Sequence, residues 1–426
     1  MPHTATGLSL DSLPLLVLDG IVGALCPHCT GDARFRRWET PVHPDSCGAI
    51  IANTRALASL AATCRALYAV ANPSLYHQPQ CRNTQRINLL RTLVGRPDLA
   101  RRVKVLRLDF DDGRRQISTD GDWAFVLDLA IRHHDWSVVN HATDRASCYG
   151  DYEGTQDDLP SNLLIAECPN LETLGLVLGY GINFAPLRPA SLPHLRDVYV
   201  TAIDPDDGLN LGLLKDLYPA APAMQSFTSN LADDVSAWAA GTPYRDFPLG
   251  NLRHLRIQMG ALSSRCLRVL LRSCPELESF TYQAGCPGDN PEQFTPDMVR
   301  RMLPRYVPQL KHLDLNLWRG RHFGEWGLYE PENDPANDPD PGPGFTALSH
   351  LETLAVDTLV LKEAWGEEQP LETLFPESLR SLTVTVMDLR TEELGALKAF
   401  AVTARIHLPN MTYVEIRHDD DYQGFQ

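Results

Sequence analysis

The sequence predicts an α/β solenoid: stacked strand–turn–helix units in a horseshoe, parallel strands on the concave face and helices outside, preceded by a small all-α segment. Three observations lead there. One short apolar pattern recurs from residue 103 to the end of the chain. Helix-periodic stretches alternate with it, and two further apolar helical stretches precede it without sharing it.

The recurring pattern is apolar, two variable residues, apolar, one variable residue, apolar. It appears as Val103-Leu106-Leu108, Leu171-Leu174-Leu176, Leu195-Val198-Val200, Met224-Phe227-Ser229, Leu252-Leu255-Ile257, Leu277-Phe280-Tyr282, Leu310-Leu313-Leu315, Leu351-Leu354-Val356, Leu379-Leu382-Val384 and Met411-Val414-Ile416. Successive copies start 68, 24, 29, 28, 25, 33, 41, 28 and 32 residues apart. Most of these intervals suit one strand plus one short helix. The interval of 41 holds the acidic, proline-rich stretch 330–344, which cannot pack a core and is expected as an exposed loop. The interval of 68 is expected to hold one degenerate repeat and an insertion.

In each copy the last two apolar positions flank a single residue, so a strand turns both inward and the middle one outward. Arg107, Gly175, Tyr199, Arg256, Thr281, Asp314, Ala355, Thr383 and Glu415 are then expected to line one face of the sheet. Helical spacing is clear in ALSSRCLRVLLRSCPELESF, where Leu262, Cys266, Leu267, Val269, Leu270 and Leu271 recur, and in the stretches beginning at Trp123, Pro296 and Glu392. A proline often stands just before the strand, as in CPNLETL, LPHLRDV, CPELESF, VPQLKHL and LPNMTYV. It is expected to stop the preceding helix and leave the next residues extended.

Composition bounds the function. The 426 residues are 43% hydrophobic and 22% charged, as in a globular protein. A formal charge of −16 opposes nucleic acid and anionic lipid, and the clusters Arg34/Arg36/Arg37 and Arg101/Arg102/Lys104 are expected to be solvated. Asp11 and Asp19 interrupt the first apolar run, which has no basic flank, so it does not form a signal peptide; no stretch is long enough to span a membrane. Ten cysteines are too sparse for a disulfide scaffold, and Cys64, Cys168 and Cys274 sit in apolar patterns as small hydrophobes. The expected setting is cytoplasm, nucleus or both.

Before the repeats, LDSLPLLVLDGIVGAL predicts a first helix with Ser12 as cap, Pro14 in its first turn and an apolar stripe of Leu15, Leu18, Ile21, Val22 and Leu25. A second helix, ending near Pro73, carries Leu57, Leu60, Ala61, Cys64, Leu67 and Tyr68. Between them, residues 26–52 form an insertion with Cys26-Pro-His-Cys29, His43 and Cys47. Two thiolates in a Cys-x2-Cys knuckle with His43 and Cys47 beyond have the spacing of a closed, structural zinc site, with His28 as a spare ligand. The alternative is a surface loop with free thiols.

These features resemble known families. The pattern over roughly residues 100–417 resembles the leucine-rich repeat superfamily, without the asparagine many such repeats place three residues beyond the last strand position. The helical residues look like an F-box: Leu13-Pro14, the anchors Ile21 and Leu25, then Leu57, Leu60, Cys64, Leu67 and the closing Leu75-Tyr76, in a stretch similar to fungal members. That resemblance implies that residues 1–80 dock a Skp-type adaptor, and through it a cullin, by Leu13, Pro14, Leu15, Leu18, Ile21, Leu25, Leu57, Leu60, Cys64 and Leu67. Residues 81–426 would hold a target protein, while other subunits perform the ubiquitin chemistry. The alternative is a leucine-rich repeat scaffold whose N-terminal helices only cap the first repeat. No phosphate loop, dinucleotide fingerprint, nucleophile elbow or His-Glu-x-x-His helix is present, so no enzyme activity and no required cofactor are expected.

Overall fold

The computed structural model describes residues 13–30, 44–79, 85–109, 120–133, 155–178, 187–202, 208–233, 247–285, 296–317, 344–364, 371–386 and 391–418. Ser12, His43, the acidic stretch up to residue 343, the aromatic residues Trp318, Trp326 and Tyr329, and Asp419 to Asp421 lie outside the described residues. The chain divides into two compact units, residues 1–199 with 219–223 and residues 200–218 with 224–426. The boundary expected at residue 80 falls inside the first.

Three helices come first: α1 (Leu15–Leu25), α2 (Pro44–Thr63) and α3 (Arg65–Leu75). They pack on one another around Val22, Cys26, Leu57, Ala61 and Ala71, with Leu25, Leu60, Val70 and Leu75 at the margin. The single second helix expected from the sequence is two. Cys64 between them is extended (φ −158°, ψ 169°), which breaks the helix while keeping Leu57 and Leu67 buried on either side. Because α2 begins at Pro44, the insertion is also shorter than expected: residues 44–52 are helical.

The chain continues through α4 (Arg86–Gly95), α5 (Pro97–Ala100), β1 (Val105–Asp109), α6 (Asp120–His133), α7 (Thr155–Ala166), β2 (Thr173–Leu178), β3 (Asp197–Ala202) and β4 (Leu209–Asn210). Then come α8 (Leu217–Ala220), β5 (Ser226–Asn230), β6 (Ala232–Asp233), β7 (His254–Gly260), α9 (Ser264–Arg272), β8 (Ser279–Ala284), α10 (Pro296–Tyr306) and β9 (His312–Asn316). Last are β10 (Thr353–Asp357), α11 (Thr358–Ala364), β11 (Ser381–Val386), α12 (Thr391–His407) and β12 (Tyr413–His418). Ten strands form one parallel sheet in the order β1-β2-β3-β5-β7-β8-β9-β10-β11-β12, one for each copy of the apolar pattern. Strands β4 and β6 pair separately. This is a repeat fold of mixed α/β type.

The periodicity gives the sheet its two faces. Leu255, Ile257, Phe280, Tyr282, Leu313, Leu315, Leu354, Val356, Leu382 and Val384 are all at most 2% exposed. The residues between them are half-buried on the other face. Several strands are preceded by a turn in which the pattern's first apolar amide donates to the carbonyl three residues back: Leu171 to Cys168, Leu195 to Leu192, Leu277 to Cys274, Leu310 to Val307 and Met411 to Leu408. In these five turns a proline occupies the second position. The proline therefore sets a turn rather than an extended lead-in, because its fixed φ suits that position.

The long interval also differs from expectation. β1 pairs directly with β2, Leu106 opposite Leu174, so no strand of the sheet lies between them, and among the described residues the interval contributes the helices α6 and α7.

Two positions carry local energetic consequences. Asp357 is fully buried; its carboxylate accepts from the Val360 amide at 2.9 Å, capping α11, and also from the Leu317 amide. Asp357→Ala should lower unfolding stability by about 2–4 kcal/mol, since it removes the cap and orphans a buried N–H; chemical denaturation measures this. Ser229 occupies an inward position of the apolar pattern at 0% exposure, and among the described residues its hydroxyl has no hydrogen-bond partner. Ser229→Ala should therefore raise stability by about 1 kcal/mol in the same assay.

Candidate functional sites

Helix α1 cannot bury all of its apolar surface. Leu18 and Val22 face α2 and α3 and are buried, whereas Leu15, Leu16 and Val17 are 64%, 83% and 45% exposed. Three consecutive apolar residues span most of a helix circumference at about 100° each, so packing on one side leaves the others in solvent. Pro14, directly before the helix, is exposed too, and Tyr68 on α3 is 49% exposed.

The other residues expected to dock a partner are distributed differently. Leu18, Leu57 and Leu67 are at most 4% exposed, in the interior of the helical segment. Leu13, Ile21, Leu25, Leu60 and Cys64 are half-buried. Leu16, Val17 and Tyr68 were not among the expected docking residues. Their signal in the sequence is the unbroken run Leu15-Leu16-Val17, too apolar for a helix covered on one side only.

At the C-terminal end of α1 the chain forms a tight knuckle. The Cys26 amide closes the helix on the Val22 carbonyl at 2.9 Å, the Thr30 amide returns to the Cys26 carbonyl at 3.1 Å, and the Thr30 hydroxyl donates to the Pro27 carbonyl at 2.9 Å. Cys26 is thereby buried and Cys29 exposed on one side of the turn. His77, just beyond α3, completes a cluster. Its Nδ1 lies 3.6 Å from Cys26 Sγ and 3.3 Å from Cys29 Sγ, and its ring meets His28 edge-on at 5.3 Å between centroids. His28 Nδ1 is 3.7 Å from Cys29 Sγ. The ligand atoms of Cys26, His28, Cys29 and His77 all lie within 4.8 Å of one another.

Burial raises the Cys26 thiol, but hydrogen bonds with His28 and His77 outweigh it and hold the thiol down at about 5. Burial, with a charge on Cys26, pushes Cys29 up to about 11, so one thiolate is favoured at a time. The hydrogen bond with Cys26 raises His28 against its own burial, and Glu172 adds to the effect. The outer nitrogen of His28, Nε2, lies 3.5 Å from Glu172 Oε2, and the other oxygen of Glu172 is held by Lys104 Nζ at 2.7 Å. Of the four metal ligands expected from spacing, Cys26 and Cys29 come together here. Cys47 lies in the first turn of α2 with its side chain undescribed. His77, some fifty residues from the knuckle, has no spacing signal that would have nominated it.

A third feature is the polar face of the sheet. Thr228, Arg256, Thr281, Asp314, Ala355, Thr383 and Glu415 stand directly opposite one another across β5 to β12, a single row in register. The row before it reads Ser226, His254, Ser279, His312, Thr353, Ser381 and Tyr413. Such a face offers an extended row of donors and acceptors with little apolar surface.

No protein-family model matches the sequence, and no curated protein is significantly similar to it. Among solved structures, the Rad7–Elc1 complex of yeast aligns with 14% identity and a TM-score of 0.32, over 88% of this chain and 72% of that one. Among the described residues, no helix is long and apolar enough to cross a membrane.

Asp314, in the middle of the row, has its carboxyl raised from its ordinary value by burial, and further by Asp357, against the opposing pull of Arg256 and Arg417. A carboxyl raised in the fold binds its proton more tightly when folded, so its ionisation costs stability as pH rises from the unfolded value through the folded one. Asp314→Asn should accordingly raise the thermal midpoint at pH 7, with the gain shrinking as pH falls from the raised folded value toward about 4 and absent below that, where the wild-type carboxyl is protonated in both states. Thermal melts across pH measure this.

Proposed function

We propose that this chain is a non-catalytic adaptor of the F-box/leucine-rich repeat kind. Its N-terminal helices dock a Skp-type adaptor, and through it a cullin, and its leucine-rich repeats hold a target protein. Ubiquitin transfer is then performed by other subunits, and this chain supplies proximity in the cytoplasm, the nucleus or both, with no cofactor of its own required for that role.

The observation that carries the reading is the exposed apolar first turn of α1. Leu15, Leu16 and Val17 lie on a helical segment that already has its own core, so they are not needed to hold it together. Exposed contiguous apolar surface on a water-facing protein marks an interaction site. The in-register polar rows of β5 to β12 support the second half, since a repeat sheet binds extended partners by distributed contacts. A charge of −16 favours a protein target over nucleic acid.

Binding of a purified Skp-type adaptor to the full chain, measured by calorimetry, tests the proposal. Leu15→Ala with Leu16→Ala should weaken binding at least ~10-fold while circular dichroism stays unchanged, the usual cost of truncating central apolar anchors. Wild-type chain that does not bind at all would leave a repeat scaffold outside ubiquitination, with α1 to α3 as an end cap.

A further inference from the structure

We propose that Cys26, Cys29, His28 and His77 bind one zinc ion, a structural site that ties the end of α1 to the residue on which the sheet begins. The inference is independent of adaptor docking and stands on three geometric facts.

The first is convergence of the right donors. Two thiol sulfurs and two imidazole nitrogens lie within 4.8 Å of one another, drawn from a four-residue knuckle and from a residue 48 positions away from Cys29. Zinc held by two sulfurs at about 2.3 Å and two nitrogens at about 2.0 Å needs donor atoms some 3.3–3.8 Å apart. The separations of 3.3 Å (His77 Nδ1 to Cys29 Sγ), 3.6 Å (His77 Nδ1 to Cys26 Sγ) and 3.7 Å (His28 Nδ1 to Cys29 Sγ) fall in that range. Four protein donors leave no position for substrate, so the role is structural.

The second is orientation from outside. His28 turns Nδ1 to the Cys29 sulfur and Nε2 to the Glu172 carboxylate, which is fixed in turn by Lys104. A carboxylate behind the distal nitrogen is the arrangement that fixes the tautomer and direction of a metal-bound histidine. Lys104 precedes β1 and Glu172 precedes β2, so the support comes from the sheet itself.

The third is what the ion would secure. The carbonyl of His77 accepts from the amides of both Lys104 and Val105 at 2.9 Å, the first contact of β1 with the chain before it. A metal bond to the His77 side chain therefore closes a loop of 48 residues that holds α2 and α3, and fixes the residue that starts the sheet.

Metal content and cobalt spectroscopy of the full chain test the site against the competing set Cys26, Cys29, His43 and Cys47. The expected result is about one zinc per chain after purification with zinc present, and a cobalt form with tetrahedral visible bands and thiolate charge transfer. His77→Ala and His28→Ala should each lose most of the bound zinc, while His43→Ala with Cys47→Ser should keep it. His77→Cys should retain the metal and strengthen the charge-transfer band, which separates lost ligation from misfolding. Removing zinc with a chelator should lower the thermal midpoint of wild-type chain and leave that of Cys26→Ser with Cys29→Ser unchanged. The proposal falls if zinc-replete wild-type chain holds well under one equivalent, or carries a Cys26–Cys29 disulfide instead. It falls equally if His43→Ala with Cys47→Ser empties the site while His77→Ala does not.

Discussion

The structure depends on one repeated hydrogen-bond device at the foot of the sheet. Within each unit, two consecutive amides entering a strand donate to a single carbonyl of the chain segment before. In the first unit, Lys104 and Val105 bond to His77, Glu172 and Thr173 to Lys104, and Arg196 and Asp197 to Glu172. In the second, the same rung runs from Gln225 through Arg253, Glu278, Lys311, Glu352 and Arg380 to Thr412, with distances of 2.8 to 3.1 Å. Each rung fixes where the next strand starts, so the register advances without slippage despite uneven repeat lengths. A slip of one residue would turn every Leu and Val of a strand to the polar face, which is why the register must be set before the strand begins. The side chains of the rung residues form a column of alternating charge. Lys104 pairs with Glu172, Glu278 with both Arg253 and Lys311, and Glu352 with Arg380. These pairs are partly exposed and individually weak, so their value lies in discouraging mispaired repeats more than in stability.

Beyond the strands the repeats stop resembling one another. Where a regular array would reuse one residue type, three of the described turns are satisfied by different devices. The Tyr282 hydroxyl donates to the Gly260 carbonyl at 2.8 Å and accepts from the Leu262 amide at 3.3 Å. Asp357 accepts from Leu317 and Val360, and Asn210 accepts from the Gly212 amide at 2.8 Å. Gly260 has no room for a side chain, because a Cβ there would lie 2.5 Å from the Ile257 methyl and 3.2 Å from the Tyr282 ring. Met259 beside it takes φ 49°, and the β7–β8 register shifts between Ile257 and Gly260.

This division explains what the sequence made legible. The ten strands of the main sheet were readable because burial of one face imposes a period of two, and Phe280, Leu313 and Leu354 have no freedom to deviate. Helices α9, α10 and α12 followed from their spacing for the same reason. The break at Cys64 was not readable: a thiol within an unbroken apolar stripe carries no breaker signal, and only its extended backbone reveals the division between α2 and α3. Direct pairing of β1 with β2 was hidden too, since interval length counts residues and says nothing of which strands touch. At the cluster, the Cys-x2-Cys knuckle is a local motif and stood out. His77 did not, because only the packing of α3 against α1 brings it to the knuckle, and linear spacing cannot register that.

The position of His77 follows from the needs of a sheet that grows by rungs. In the first unit, β2 and β3 inherit their starting register from the strand before, and β1 has no preceding strand. An unpaired first edge is both a loss of hydrogen bonds and a template for wrong pairing. The chain answers with a residue that belongs to the helical segment yet serves as the rung before the first. The His77 carbonyl receives Lys104 and Val105 just as the Lys104 carbonyl receives Glu172 and Thr173. Its side chain faces the other way, into the knuckle that ends α1, and Lys104 and Glu172, the next two rung residues, hold His28 from behind. Backbone and side chain of one residue thereby connect the sheet's register to the helical core, so anything that orders the Cys/His cluster also orders the first strand.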